Sequence, residues 1–309
     1  MPNTDLGLKL LHLRLIKAID DSGQISQAAA RIGISQPAAS RLLAEMEQII
    51  GHPVHTRQGR GIVLTAQGIA LARRATRILI ELADTQRELT ELTSGTRGYV
   101  RIGAITGPAL DRVLPALRQV RLVLPDVSVE VEVGPSDSLS GLVLQGKVDF
   151  ALCRLPAHHA RADFNFEVLG DEQVSLVVRR DHALMQLPGF DPLALLDYDW
   201  VLPGAGAILR QAVLGRLTEL GLATPPGRLI TSSFLLTLAM LTQSNAIAPL
   251  SRSVAQRFAT GPAAPYAILP IDLGIRMAAF GIATRAGATL TPAAARIKAL
   301  IGHSPDNGL

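Results

Sequence analysis

Gln36, Ser40 and Arg41 place an amide, a hydroxyl and a guanidinium near what reads as the start of one helix. Such groups hydrogen-bond to base edges in a DNA groove and to backbone phosphates. They sit in Gly23 to Arg41, GQISQAAARIGISQPAASR, which reads as two short helices meeting at a sharp turn. Ser26 is positioned to cap a first helix from Gln27 to Ile32, and Gly33 supplies the break. Ser35 starts a second helix, with Pro37 in its first turn, where a missing N–H costs nothing. Ala28, Ala29, Ala38 and Ala39 permit close helix approach, and Ile25, Ile32, Ile34, Leu42 and Leu43 form the apolar side. This is helix-turn-helix grammar, in which the N-terminal end of the second helix enters the major groove. The candidate DNA-contacting residues are Gln27, Ser35, Gln36, Pro37, Ser40 and Arg41, with Arg57 and Arg60 from the segment that follows.

A second set of chemically competent residues lies at the ends of predicted strands. Thr106-Gly107-Pro108, Ser136-Asp137-Ser138, Gly204-Ala205-Gly206 and Ser232-Ser233 each follow a strand and open a helix. In open α/β sheets, ligands bind beyond the carboxyl ends of strands, where helix N-termini offer free N–H donors to oxygen-rich groups. Each small polar residue also serves as an ordinary helix cap. Thr106, Ser136, Ser232 and Ser233, with Arg154 as a cation at the mouth, are the candidate ligand-binding residues; Arg154 equally has the option of pairing with an acidic neighbour. A small sugar, sugar acid or other organic acid suits such a lining.

Other chemistries are disfavoured. Gly141 to Lys147 has P-loop spacing, but Val148 replaces the Mg²⁺-binding hydroxyl and the segment ends a helix instead of opening one. Pro203 to Ala207 lacks the third glycine and the ribose-binding acid of a dinucleotide loop. There is no Gly-x-Ser-x-Gly elbow. His52 and His55 have no third ligand nearby, and His158, His159 and His182 lie in polar loops without ligand spacing and are expected to be exposed. No catalytic residue, cofactor or metal is expected, and the chain does not read as an enzyme. A DNA-tethered enzyme is the alternative from another class, and a constitutive architectural DNA binder a third.

Composition agrees with this division of labour. A chain of 309 residues that is 48% hydrophobic has material for two or three cored units. Its one cysteine, Cys153, excludes an internal disulfide and fits a reducing cytoplasm. The start of the chain reads as an amphipathic helix in place of a signal peptide, and no stretch reaches membrane-spanning length free of charge. The net charge is only +4. However, Arg31, Arg41, Arg57, Arg60, Arg73, Arg74 and Arg77 are opposed between positions 31 and 77 only by Glu45 and Glu47. That bias suits phosphates.

The positioning elements follow. Leu8, Leu11, Leu15 and Ile19 recur at helical spacing and should pack on the two-helix unit. Val54 to Leu64 reads as two short strands around Gln58-Gly59-Arg60-Gly61, a wing whose arginines reach the backbone or minor groove. From Thr65 to Thr93, Leu71, Ala75, Ile78, Leu82, Thr85, Leu89 and Leu92 alternate steps of four and three, the seam of a helix that pairs with its own copy. Burial of this helix in its own domain is the other option. Beyond the hinge at Ser94 to Gly98, short apolar runs alternate with helices, as in an α/β domain with mostly parallel strands.

The stretches QAAARIGISQPAASRLLAEME (27–47) and GHPVHTRQGRGIVLTAQG (51–68) resemble the LysR-type transcriptional regulators. The resemblance extends over the chain and is sharpest up to about Gly68. Within Leu11–Arg41 and Leu71–Leu92 it points to the branch that includes the galactose-binding-protein regulator. It implies a winged helix-turn-helix at 1–64, a dimerising linker helix at 65–94, and a two-lobed, periplasmic-binding-protein-like α/β effector domain at 95–309. Lobe one would take about 99–170 and 274–303, and lobe two about 171–273. The implied partners are a double-stranded DNA operator, a small-molecule effector, further copies of the chain in a homodimer or homotetramer, and RNA polymerase if the protein activates. No membrane association is implied. The family commonly has an aromatic near Leu15 and another at the position of His55, so packing there should differ.

Overall fold

The computed structural model describes residues 7–59, 61–94, 98–155, 161–187, 189–225, 229–261 and 263–303. The chain forms two compact units, Met1–Thr93 and Ser94–Leu309.

In the first unit, α1 (Leu10–Ser22) buries Leu13, Leu15, Ile16, Ala18 and Ile19. Gly23, at φ +66°, ends α1 with its N–H on the Ile19 carbonyl. The next helix, α2 (Ile25–Arg31), begins earlier than Ser26 capping would require. Gln24 holds the extended cap geometry, and Ser26 lies inside the first turn. The Ser26 hydroxyl is not used as the cap because Ile25 enters the helix and packs against the core. Gly33 (φ +73°) turns the chain, and Ser35 caps α3 (Gln36–Ile50), its Oγ accepting from the Ala38 N–H at 3.4 Å. Such a cap is worth about 1 kcal/mol. Ala28, Ala29 and Ala39 are fully enclosed between the helices, which is where small residues are needed.

The hairpin β1 (His55–Gln58) and β2 (Gly61–Leu64) is antiparallel and pairs His55 with Leu64 and Gln58 with Gly61. Glu47 of α3 anchors its start: one carboxylate oxygen accepts the Val54 N–H at 2.8 Å and meets His55 Nδ1 at 2.9 Å. His55 is therefore occupied by an acid on the neighbouring helix. The long helix α4 (Ala66–Ser94) starts at Thr65, whose Oγ1 accepts the Gly68 N–H and donates to the Pro53 carbonyl. A Cβ at Gly68 would lie 1.9 Å from the Val54 carbonyl oxygen, so only glycine lets α4 cross the base of the hairpin.

The heptad seam divides along α4. Ala75 is buried and Leu71 half-buried in the unit's own core, whereas Ile78, Leu82 and Leu89 are 46%, 48% and 59% exposed. One apolar row is part covered and part exposed, because α4 outruns the small domain that covers its first turns.

The second unit begins with β3 (Tyr99–Ala104), then α5 (Thr106–Pro108), a π-helical turn (Ala109–Val113) and α6 (Leu114–Val123). After β4 (Ser128–Val133), α7 (Ser136–Leu144) and β5 (Phe150–Cys153), a long β6 (Phe164–Arg179) follows. Next come β7 (Val201–Leu202), α8 (Ile208–Glu219), β8 (Leu229–Ile230), α9 (Phe234–Gln243), β9 (Ala248–Ser251), α10 (Arg252–Ala259) and β10 (Tyr266–Ile268). The return is β11 (Arg276–Arg285), closed by α11 (Pro292–Gly302). Gly146 (φ +66°) follows the end of α7, as expected for a helix terminus and not a phosphate loop.

The sheets are mixed, which corrects the expectation of mostly parallel strands. β3 runs parallel to β4 and β5, and β7 to β8. β11 is antiparallel to β5 and β6, and β6 is antiparallel to β9 and β10. The cause is that β6 and β11 are shared. Their outer ends, around Phe164 and Arg285, serve one lobe with β3, β4 and β5; their other ends, around Val174 to Arg179 and Arg276, serve the second with β9 and β10. Residues 174–178 of β6 are all buried, whereas of its first ten residues only Phe164 and Glu172 are. Separate cores fill the lobes, one around Ile102, Phe150 and Ile297, another around Leu176, Trp200 and Leu217. Gly281 lets β11 close on β6: a Cβ there would sit 2.1 Å from the Glu167 carbonyl oxygen.

Contrary to the expectation of an exposed loop residue, His182 is enclosed in the second lobe, where Nδ1 accepts the Leu184 N–H at 3.2 Å and Nε2 meets the Asn245 carbonyl at 3.0 Å. Burial pushes its pKa below the ordinary value and the Arg179 charge adds to this, while the Asn245 contact and Asp181 oppose it. The folded state therefore prefers neutral imidazole. Its contribution is complete above the unfolded value of about 6.5 and is lost as pH falls through and below it. Thermal melting from about pH 7.5 to pH 5 should show a shallower acid loss in His182→Asn than in the parent. Equal slopes would mean the ring protonates without cost.

Candidate functional site

Two sites emerge, one in each unit. In the first, Gln36, Pro37, Ser40 and Arg41 are all exposed around the N-terminal half of α3, beside the exposed cap Ser35. Helical spacing makes this one surface: residues three and four apart are neighbours, so Ser40 follows Gln36 and Arg41 follows Pro37. The opposite face carries Ala39, Leu43 and Met46 into the core. Gln27 is exposed on α2, with its amide donating to Gln24 Oε1 at 3.0 Å. Arg57 is exposed on β1, and Arg60 lies outside the described residues. The α3 surface presents an amide, a hydroxyl and a guanidinium on a rigid, capped element, the equipment needed to read base edges.

In the second unit, the five candidate ligand residues come together. Thr106, Ser136, Arg154, Ser232 and Ser233 all line one cavity of about 530 Å³ between the lobes, with Gly204, Ala205 and Gly206 on the same wall. That volume suits a small metabolite. The hydroxyls differ in what they already do. Ser233 caps α9, its Oγ accepting from the Leu236 N–H at 3.2 Å. Ser136 does not cap α7, whose cap position is Pro135; its buried Oγ accepts the Arg154 N–H at 3.1 Å and ties β5 to α7.

Arg154 is not an unpaired cation at the mouth. It is 5% exposed, bonds through Nη2 to Glu172 Oε2, and donates from Nε to the Ala278 carbonyl at 2.8 Å. Of the two roles its position allowed, the structure chooses pairing with an acid, because a guanidinium buried here needs a counter-charge. Glu172, 9% exposed and also lining the cavity, escaped sequence reasoning. It sits in Gly170-Asp-Glu-Gln173, which reads as a polar turn but is the middle of β6. Cys153 beside them is buried, and burial pushes its thiol up to about 12 despite the Arg154 charge, so it carries no thiolate near neutral pH.

Among the described residues no group of three His, Cys, Asp or Glu side chains converges on a metal position, and no helix is long and apolar enough to cross a membrane.

Comparison with known proteins bears on both sites. Residues 10–69 match the family model described as bacterial regulatory helix-turn-helix protein, lysR family, and residues 93–304 match LysR substrate binding domain. The chain is 41% identical over 250 residues to the HTH-type transcriptional regulator GbpR of Rhizobium radiobacter, covering 79% of this chain and 82% of that protein. It is 32% identical over 302 residues to GbpR of Azospirillum brasilense, covering 97% and 87%. Full-length CbnR solved with its target DNA superposes with a TM-score of 0.58 at 21% identity, over 96% of this chain and all (100%) of CbnR, which establishes likeness of fold.

Proposed function

The chain belongs to the LysR family of bacterial helix-turn-helix transcriptional regulators and is not an enzyme; from that premise we propose how its parts divide the work. Residues 1–64 bind the operator, 65–94 pair two copies, and 95–309 sense a small polyhydroxylated or organic-acid metabolite, all in the cytoplasm. In operator binding, Gln36, Ser40 and Arg41 read base edges, Gln27, Ser35 and Pro37 adjoin them, and Arg57 and Arg60 hold the DNA backbone. A homodimer, or a homotetramer built from two, spans paired half-sites, and RNA polymerase is a partner if the protein activates. The observation that carries this reading is the convergence of Thr106, Ser136, Arg154, Ser232 and Ser233 on one cavity in a chain whose other unit exposes Gln36, Ser40 and Arg41 at a capped helix end.

Two experiments test it. An operator duplex is selected from a random pool, and fluorescence anisotropy compares it with a scrambled duplex. Arg41→Ala should weaken the specific complex by about 1–3 kcal/mol and leave the scrambled one little changed, whereas Arg57→Ala should weaken both and reduce the salt slope by about one. Equal losses on both duplexes would move Arg41 to a phosphate role.

For the cavity, a thermal-shift screen of sugars and small acids supplies a ligand for calorimetry. Thr106→Val and Ser136→Ala should each weaken it by about 1–3 kcal/mol, because a lost hydroxyl leaves a buried ligand group unpaired. Operator binding without ligand should not change. Parent-like affinity in both variants would reduce these residues to structural duty.

A further inference from the structure

The cavity has an electrostatic character that its hydroxyls alone do not reveal. Among its described lining residues the ionisable side chains are Asp137, Arg154 and Glu172, one guanidinium against two carboxylates. The guanidinium is engaged by Glu172 and the Ala278 carbonyl, and Arg154 is only 5% exposed, so little of it is open to a ligand. Glu172 is held in place from several sides. Gly107 leaves room for it, since a Cβ there would lie 2.5 Å from Glu172 Oε1. It also borders a second cavity of about 500 Å³, where Asp111, Arg112, Asp171, Arg252 and Arg276 make up its charged surroundings.

Resting on the reading that this cavity is the effector site, we propose that Glu172 is a specificity-determining residue: it admits uncharged polyhydroxylated effectors and rejects their carboxylate counterparts. Two physical effects act together. A ligand carboxylate brought beside the buried Glu172 meets a like charge where water does not screen it. Were it instead to take over Arg154, Glu172 would be left buried without its partner, which is the costly way to break a buried pair. A neutral polyol meets neither obstacle. Its hydroxyls donate to the carboxylate in charge-assisted hydrogen bonds and accept from the N–H groups at the start of α9.

The test is isothermal calorimetry on the full chain with matched pairs that differ only at C6: glucose and glucuronate, galactose and galacturonate, mannose and mannuronate. The parent should bind at least one aldose and its uronate at least roughly tenfold more weakly, a factor equal to about 1.4 kcal/mol. In Glu172→Gln that ratio should shrink or invert, because the repelling charge is gone and Arg154 is free to receive a carboxylate. If the single variant does not melt cooperatively, Arg154→Gln with Glu172→Gln replaces it, and the neutral pair should likewise narrow the ratio. A parent that binds aldose and uronate alike, or a folded variant with the parental ratio, overturns the role of Glu172 while leaving the cavity as the effector site. A parent that binds neither member of any pair, yet responds to another screening hit sensitive to Thr106→Val, overturns it too. No ligand sensitive to Thr106→Val at all overturns the effector site itself, and this role with it.

Discussion

Leu82→Asp should abolish pairing of the α4 helices and weaken operator binding by about two orders of magnitude, the avidity lost when two linked half-site contacts become independent. Leu82 is 48% exposed, between Ile78 and Leu89, which are also exposed. Burying a leucine of this kind contributes about 1.5–3 kcal/mol, and a carboxylate in the same place removes that and adds a desolvation cost. The residue has no role in the core of its own unit, which lies around Leu43, Met46 and Ala75, so the variant should fold. Light scattering on residues 1–94 separates this pairing from any contact made by the second unit, and anisotropy on the full chain measures the operator complex. An unchanged oligomer with intact operator binding would return α4 to the role of an intrachain packing helix.

The second large effect is on stability. Arg154→Ala should destabilise the second unit by about 3–5 kcal/mol, because Glu172 would be left at 9% exposure with its partner removed. Replacing both, as Arg154→Met with Glu172→Leu, should cost much less than the single variant, since a buried pair exchanged for apolar groups leaves no stranded charge. Denaturant titration of the two variants decides the matter. A double variant at least as destabilised as the single one would show that the bond from Arg154 Nε to the Ala278 carbonyl, not the charge pairing, carries the stability at this point. The single variant bears on function as well, because it opens the cavity wall.

Much of the DNA-binding unit was legible in the chain. Its signals are local: Gly33 needs a left-handed turn, Ser35 needs only the N–H three residues ahead, and alternation of Ala28, Ala29, Ala38 and Ala39 with outward polar residues is a helical matter. Ser26 shows the limit even there. The hydroxyl was a competent cap, but packing of Ile25 decided where α2 begins. In α4 the seven-residue period was visible, yet which part of the seam faces the core and which faces outward depended on how far the small domain reaches along the helix.

The second unit divides in the same way. By itself the sequence determined that short polar segments follow strands and open helices, and hence that Thr106, Ser136, Ser232 and Ser233 lie where strands give way to helices, because strand alternation, helix periodicity and capping are written within a few residues of one another. Only the tertiary structure decided that they share one cavity, that β6 and β11 run antiparallel through both lobes, and that Arg154 meets Glu172. The physical reason is separation along the chain. Arg154 and Ala278 are partners 124 positions apart, and Glu172 is drawn into a wall by the middle of a long strand, where Gly170-Asp-Glu-Gln173 reads locally as a turn. No local propensity records such pairings; they exist because a buried guanidinium and a buried carboxylate are each costly alone and tolerable together.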